Sequence, residues 1–352
     1  MIYTEYTLNT SKNTYFDGQY AKSEQLFFDI ETTGFSPNTT VLYFIGVMFY
    51  RDHSWIVGQW FNDDGYSDRE LLEAFHTFTM NYKVLIHFNG DGFDIPYLCK
   101  KATDLGMNID FCHIQSIDIY KLLKPYKTIL QLPNLKLKTI ERFLNIHRDD
   151  EYSGGELIAI YHKYLHTKSD DDYQLLFGHN FEDIKNMLDI ADSLQYKELF
   201  DGNFEVIATN RNQSMLEIQL STNLPKGFAF TKEGFYLQAS TTEVILSIPI
   251  FSGELKYFFA DYKNYYYLPI EDTAIHKSVA NYMDKQYRKT ATMETCYQKI
   301  SGVFLPSCGY KTEKGFGTTF QNRLSYFQYS DITKPEFDNS SYVQNILNWF
   351  LH

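Results

Sequence analysis

The stretch Leu26-Phe27-Phe28-Asp29-Ile30-Glu31-Thr32-Thr33-Gly34 constrains the fold more than any other part of the chain. Leu26 to Ile30 are apolar enough for a strand inside a sheet, yet Asp29 and Glu31 stand at its C-terminal end. Residues two apart on a strand project from the same face. Two acids on one buried face repel each other and lose hydration, which is unfavourable unless a cation lies between them. The stretch reads as half of a metal site, so the rest of the chain must supply the other half.

The elements that follow predict a layered α/β domain. Val41–Tyr50 and Trp55–Trp60 are apolar strands joined by Arg51-Asp52-His53, and with the first strand they suggest an antiparallel meander. Ser67-Asp68-Arg69-Glu70 reads as a capping box, opening a helix with Leu71, Leu72, Phe75, Phe78 and Thr79 on one face. Val84–Phe88 is a further strand. It runs into Asn89-Gly90-Asp91-Gly92-Phe93-Asp94-Ile95-Pro96, where two glycines turn the chain and Pro96 takes the first position of a helix. Cys112–Ile119 is strand-like, and Lys136–Leu144, Gly155–Leu165 and His179–Phe200 read as helices. Residues 1–24 give no clear element.

The pattern changes after residue 203. Phe204–Ala208, Met215–Leu220, Gly227–Thr231, Phe235–Gln238, Val244–Pro249 and Leu255–Ala260 are short and β-rich, whereas Ile275–Asp284 and Val343–Leu351 look helical. The expected organisation is therefore a mixed sheet with flanking helices in residues 1–202 and a smaller β-rich domain with a few helices in residues 203–352.

Composition excludes several classes. No stretch approaches the roughly 20 apolar residues of a membrane span, and the first residues lack a basic region followed by an apolar core. Cys99, Cys112, Cys296 and Cys308 are widely spaced, which suits a reduced, cytoplasmic setting, and Cys296 and Cys308, lacking a partner set for zinc, read as buried thiols. A formal net charge of −12 argues against a large non-specific nucleic-acid binder. The acidity sits before position 201, because residues 201–352 hold 14 Lys+Arg against 15 Asp+Glu. The runs Asp149-Asp150-Glu151 and Asp170-Asp171-Asp172 read as solvated loops. An acidic protein can still act on a polyanion where metal ions carry the local positive charge.

Two more acids interrupt apolar patterns: Asp94, just after the fourth strand, and Asp183, in the expected first turn of the last helix. With Asp29 and Glu31 they would suit two divalent cations roughly 3.5–4 Å apart, a centre that activates water for phosphodiester cleavage. Hard oxygen donors favour magnesium or manganese. Each acid also has a plainer reading, Asp94 as a helix cap and Asp183 as a partner of the helix dipole.

Phe28–Gly34 resembles the first motif of the DEDD, proofreading-type 3′–5′ exonucleases on the ribonuclease H-like fold. Asn89–Pro96 looks like the second motif with Asp94 as ligand, and His179-Asn180-Phe181-Glu182-Asp183 looks like the third. The resemblance spans roughly residues 24–200. Leu135–Glu141, followed by Gly154-Gly155-Glu156-Leu157, is similar to the YprB-type branch of predicted bacterial exonucleases. It implies a nuclease that shortens a single-stranded DNA or RNA from its 3′ end. Asp29, Glu31, Asp94 and Asp183 would be the metal ligands, and no protein partner is implied.

One position departs from the family. The histidine subclass places its base five residues before the last Asp, which here is Gly178; the tyrosine subclass places Tyr four before, which here is His179. Residues four apart on a helix share a face, so His179 can reach water beside Asp183, as base or as an orienting group; capping the helix is its plainer reading. Asn89 is a candidate for positioning a phosphate or water, or simply for forming the turn. Asp118 reads as a supporting acid or a helix cap. Tyr265-Tyr266-Tyr267 with His276, Lys277, Lys285, Arg288 and Lys289 mixes aromatic and basic groups, as single-stranded nucleic acid would require and as a solvated β-rich surface also would. Two further functions fit the same fold: a non-catalytic nucleic-acid-binding or regulatory module, and an endonuclease acting at structured junctions.

Overall fold

The computed structural model describes every residue except Glu151 and Arg323, and Asn281 by its backbone alone. The chain forms two compact units, Met1–Lys197 and Glu198–His352. In the first, six strands make one sheet: β1 (Ile2–Leu8), β2 (Gln25–Thr32), β3 (Leu42–Arg51), β4 (Ser54–Phe61), β5 (Val84–His87) and β6 (Gln115–Asp118), in the order β1-β4-β3-β2-β5-β6. β2 pairs antiparallel with β3 and parallel with β5, so the direction of pairing changes at the strand that carries Asp29 and Glu31.

Helices cover both faces. They are α1 (Asp68–Thr79), α2 (Asp94–Asp104), α3 (Ile119–Leu123), α4 (Leu137–Leu144), α5 (Gly154–Thr167) and α6 (Asp170–Ile190); α7 (Gln195–Asp201) runs across the division between the units. Phe28 and Ile30 pack in one core with Leu71, Leu72 and Phe75 of α1 and Tyr97 and Leu98 of α2. Tyr43, Phe44 and Phe61 pack in another with Leu157 and Tyr161 of α5 and Leu176 and Phe177 of α6. Asp29 and Glu31 have the opposite parity from Phe28 and Ile30 and point to the α6 side. α6 lies close on the sheet because Gly46 has no side chain; a Cβ there would clash with the Asn180 amide and sit 2.7 Å from Ile184 Cγ1.

Several expectations are corrected. Residues 2–8, expected to hold no element, form edge strand β1, where Tyr3 stacks on Trp60 at 4.9 Å. An edge strand buries one side only, so its apolar signal is weak. The capping box at Ser67 is absent, since Ser67 Oγ donates to Asp64 Oδ1 at 2.9 Å instead of capping α1. Pro96 is the third residue of α2, not the first. The last long helix begins at Asp170, nine residues before the expected start. Ser169 caps it, and Asp170, Asp171 and Asp172 form its first turn, where acids favour the dipole, so they are no solvated loop. Asp183 and His179 are consequently inside the helix, and the capping and dipole readings of both fall. The helix also gives way to a 3-10 turn at Ala191–Leu194 before α7.

In the second unit, β7 (Glu205–Arg211), β8 (Met215–Ser221), β9 (Phe228–Lys232), β10 (Phe235–Ala239) and β11 (Glu243–Pro249) form an antiparallel sheet in the order β7-β8-β11-β10-β9. A small closed barrel combines β12 (Phe251–Phe258), β16 (Tyr297–Pro306), β17 (Phe316–Gly317) and β18 (Tyr326–Gln328). Strands β13 (Tyr265–Leu268), β14 (Thr273–His276) and β15 (Lys289–Thr290) make a third sheet. The helix expected at Ile275–Asp284 is thus replaced by β14 and a short 3-10 turn, because Ile275 and His276 pair with Tyr266 and Tyr265. Lys277, just after β14, and Arg288, just before β15, lie over the Tyr266 ring, 5.5 and 4.6 Å from its centre. The final helix, α8 (Asn339–Leu351), packs Trp349 and Phe350 against Phe235. Cys296 and Cys308 are buried free thiols. Among the described residues no helix is long and apolar enough to cross a membrane.

Candidate metal centre

Three elements deliver the acids singled out in the sequence. The end of β2 carries Asp29 and Glu31, the first residue of α2 is Asp94, and the middle of α6 carries His179 and Asp183 one turn apart. Glu31, His179 and Asp183 each offer a ligand atom, all within 4.8 Å of one another. Asp29 is partly buried. Desolvation, then the charges of Asp94, Asp183 and Glu31, push its carboxyl well above the usual range, against a smaller opposing effect of Arg148. Asp94 is buried, and desolvation raises it to about 7 despite backbone hydrogen bonds from Asp94 and Ile30 that favour its charge. Carboxyls held this way gain from a cation, and their hard oxygens suit a divalent one.

His179 is fixed on both sides of its ring. Nδ1 lies 2.5 Å from Asp150 Oδ2, and Nε2 lies 3.3 Å from both Glu31 Oε1 and Asp183 Oδ2. Burial lowers the affinity of the ring for a second proton, but the hydrogen bond to Glu31 and the charges of Asp183, Glu31 and Asp150 outweigh it and raise the pKa to about 9. Asp150 moves the other way. Desolvation acts to raise it, whereas His179 and Lys138 bring it down to about 2. His179 reaches Asp183 because one helical turn connects the two positions.

Arg148 is the resident cation. Its guanidinium contacts Asp183 Oδ1 at 2.5 Å, Glu141 Oε1 at 3.1 Å, Asp150 Oδ2 at 3.1 Å and Glu182 Oε2 at 3.6 Å. Glu182 also accepts the backbone N–H groups of Asp149 and Asp150, both at 3.0 Å, which pins this segment to α6. Asp150 is therefore no solvated loop residue; Glu151 lies outside the described residues. Tyr43 Oη donates to Glu31 Oε2 at 3.3 Å, and Asn186 Nδ2 to Glu141 Oε1 at 2.8 Å.

Sequence reasoning missed Arg148, Asp150, Glu141, Glu182 and Tyr43. One signal existed: Glu141 is an acid beside Ile140 on a short helix with an apolar face, and it is 1% exposed. The others follow no periodicity.

Asn89 stands at φ 66°, forming the turn after β5, and its N–H donates to Asp118 Oδ1 at 2.8 Å. Asp118 caps α3. A second cluster lies here: His87, Asp91 and Asp118 also have ligand atoms within 4.8 Å. His87 and Asp91 are satisfied by protein partners, whereas Asp118 Oδ2 is buried without one among the described residues. The Gly90 N–H donates to His87 Nδ1 at 3.0 Å, Nε2 meets Ser116 Oγ at 2.7 Å, and Asp91 takes Ser116 Oγ at 2.5 Å and Lys121 Nζ at 2.7 Å.

Known proteins place this geometry in context. No curated protein matches the chain in sequence. Among solved structures, the family B DNA polymerase from the hyperthermophilic archaeon Pyrobaculum calidifontis is similar at 15% identity and a TM-score of 0.39, covering 70% of this chain and 36% of that one. The present chain thus spans about a third of that polymerase chain's length. The RNase H superfamily model matches residues 26–195. That span is an RNase H-like domain, a mixed sheet with flanking helices, followed by a β-rich C-terminal region.

Proposed function

We propose that the chain is a two-metal-ion 3′–5′ exonuclease acting on single-stranded nucleic acid, of the DEDD type and nearest the YprB-type branch. The observation that carries the reading is the convergence of Glu31, His179 and Asp183 within 4.8 Å, beside an Asp29 that feels the charges of Asp94 and Asp183. Asp29, Glu31, Asp94 and Asp183 would hold the two cations, magnesium or manganese, which would supply Lewis acidity to the reacting phosphodiester.

The protein's own groups do the rest. The pKa of about 9 belongs to a ring whose Nε2 faces uncompensated Glu31 and Asp183; with cations neutralising those carboxylates, His179 would keep Nδ1–H on Asp150, free Nε2, and take the proton of the water as its oxygen attacks phosphorus. The phosphorus bond to the 3′ oxygen breaks, that oxygen takes a proton from solvent to become the 3′ hydroxyl of a strand one nucleotide shorter, and the terminal nucleotide leaves as its 5′-monophosphate. Asp150 keeps the imidazole in one tautomer and one orientation. Arg148 holds Asp183 in place through Oδ1 while His179 meets Oδ2, and Asn89, in the turn leading to Asp94, is the candidate for a phosphate contact.

The test uses 5′-labelled linear and circular single-stranded DNA and RNA, each with magnesium or manganese. A ladder shortening from the 3′ end, lost in Asp29→Ala with the thermal melt retained, is the expected result. Cutting of circles would replace the reading with an endonuclease. Binding without cleavage would replace it with a non-catalytic module.

A further inference from the structure

Four converging carboxylates repel the polyanion they are proposed to cut, so the approach route needs positive charge of its own. A cavity of ≈ 490 Å³ has His179 and Asp183 in one wall and Lys136, Lys138 and Arg142 among its other lining residues. A neighbouring cavity of ≈ 440 Å³ shares Lys138 and Arg142 and extends to Arg148. The stretch from Ile119 to Arg142 is basic in a chain of net charge −12, with Glu141 its sole acid.

The three cations are not equivalent. Lys138 is committed to Asp150 Oδ2 at 3.1 Å and to the Tyr152 carbonyl at 2.6 Å. Lys136 and Arg142 are exposed, and among the described residues neither side chain has an ion pair or hydrogen bond. Tyr152, also in the cavity wall, is 37% exposed. Unpaired basic groups with an aromatic ring beside them are what a flexible nucleic-acid strand uses, phosphates on the charges and a base on the ring.

We propose that this cavity is the substrate track: the sugar-phosphate backbone of a single strand passes Lys136 and Arg142 before its terminal phosphodiester meets His179 and Asp183. The assignment of direction rests on the exonuclease reading; the binding of single-stranded nucleic acid does not. Arg142 and Lys136 contact phosphates and carry no base preference. An acidic peptide is the competing occupant, and Tyr152 favours the nucleic acid.

The experiment compares the full-length wild type with Lys136→Ala/Arg142→Ala and with Lys136→Arg/Arg142→Lys. Binding of a fluorescein-labelled oligothymidylate is read by anisotropy across a salt series, and cleavage kinetics are read in parallel. Each lost phosphate contact should reduce the slope of log K against log salt by about 0.7, so the double alanine variant should lose about 1.4. It should raise KM at least tenfold with kcat within about twofold, while the charge-retaining pair restores the salt slope. Because both side chains are exposed, the thermal melt should not move. Unchanged affinity and slope in the alanine variant overturn the track whether or not the wild type cuts. Competition by polyglutamate as strong as by unlabelled oligonucleotide overturns it as well. Wild-type binding without cleavage, still weakened in the variant, keeps the track and removes the exonuclease.

Discussion

Two histidines of the first unit sit among acids, and the fold treats them in opposite ways. His179 faces Glu31, Asp150 and Asp183 and is raised to about 9. His87 faces Asp91 and Asp118, yet burial lowers it below its ordinary value despite both acids. The hydrogen bond of His179 Nε2 to Glu31 is the largest raising effect, and the two rings also differ at Nδ1. In His179 this nitrogen meets a carboxylate 2.5 Å away, which accepts a proton bond; in His87 it meets the Gly90 N–H at 3.0 Å, which requires a lone pair. A carboxylate favours the charged ring, whereas a backbone donor forbids a proton on that nitrogen. Proximity of acids therefore says little about what a histidine does. Its burial and its hydrogen-bond partners decide.

The largest effect should come from truncating each ring. His179→Ala is expected to lower kcat by roughly 10²–10⁴, the usual contribution of a general base. His87→Ala should leave kcat within a few fold and instead destabilise the fold by about 1–3 kcal/mol, because the Gly90 N–H loses its acceptor in a buried turn. Steady-state kinetics beside urea unfolding separates the two; equal kinetic losses would erase the contrast.

A smaller effect should follow from Asp150→Asn, which keeps the shape of the pair but weakens its hold on one tautomer. Rates should drop about 10–100-fold, the range for partners that orient an active group, with oligonucleotide affinity unchanged. A variant as active as the wild type would show that Asp150 braces Arg148 and nothing more.

The smallest effect concerns pH. The folded pKa of His87 lies below its unfolded value of about 6.5. Below that pH the unfolded chain binds a proton that the folded chain refuses, so stability falls on acidification from about pH 6.5 and is restored as pH rises. Urea midpoints from pH 7.5 to 5 should decline less in His87→Gln than in the wild type. Parallel declines would mean that another group carries the dependence.

The parts of the fold that were readable follow from local pattern. β2 to β5 and α1 announce themselves through apolar runs and a helical stripe, and Asp29 and Glu31 stand out because they interrupt such a run. β1 and β14 were not readable in this way, since an edge strand and a four-residue strand depend on partners distant in the chain, Trp60 and the tyrosines of β13. The start of α6 was misplaced because Asp170-Asp171-Asp172 resembles a loop in composition. Next to a Ser169 cap the same charges stabilise a helix end.

From the chain alone come the mixed α/β order, the β-rich second part and an unusual set of acids at the ends of apolar elements. These rest on periodicity and on the cost of burying like charges, both visible over a few residues. The fold alone decides that Arg148 sits among Glu141, Asp150, Glu182 and Asp183, and that Asp150 takes His179 Nδ1 from 29 residues away. Such contacts join a loop, a short helix and the middle of α6 across the sheet edge. Electrostatic stabilisation at that range depends on distance and desolvation, which three-dimensional packing sets and local sequence does not.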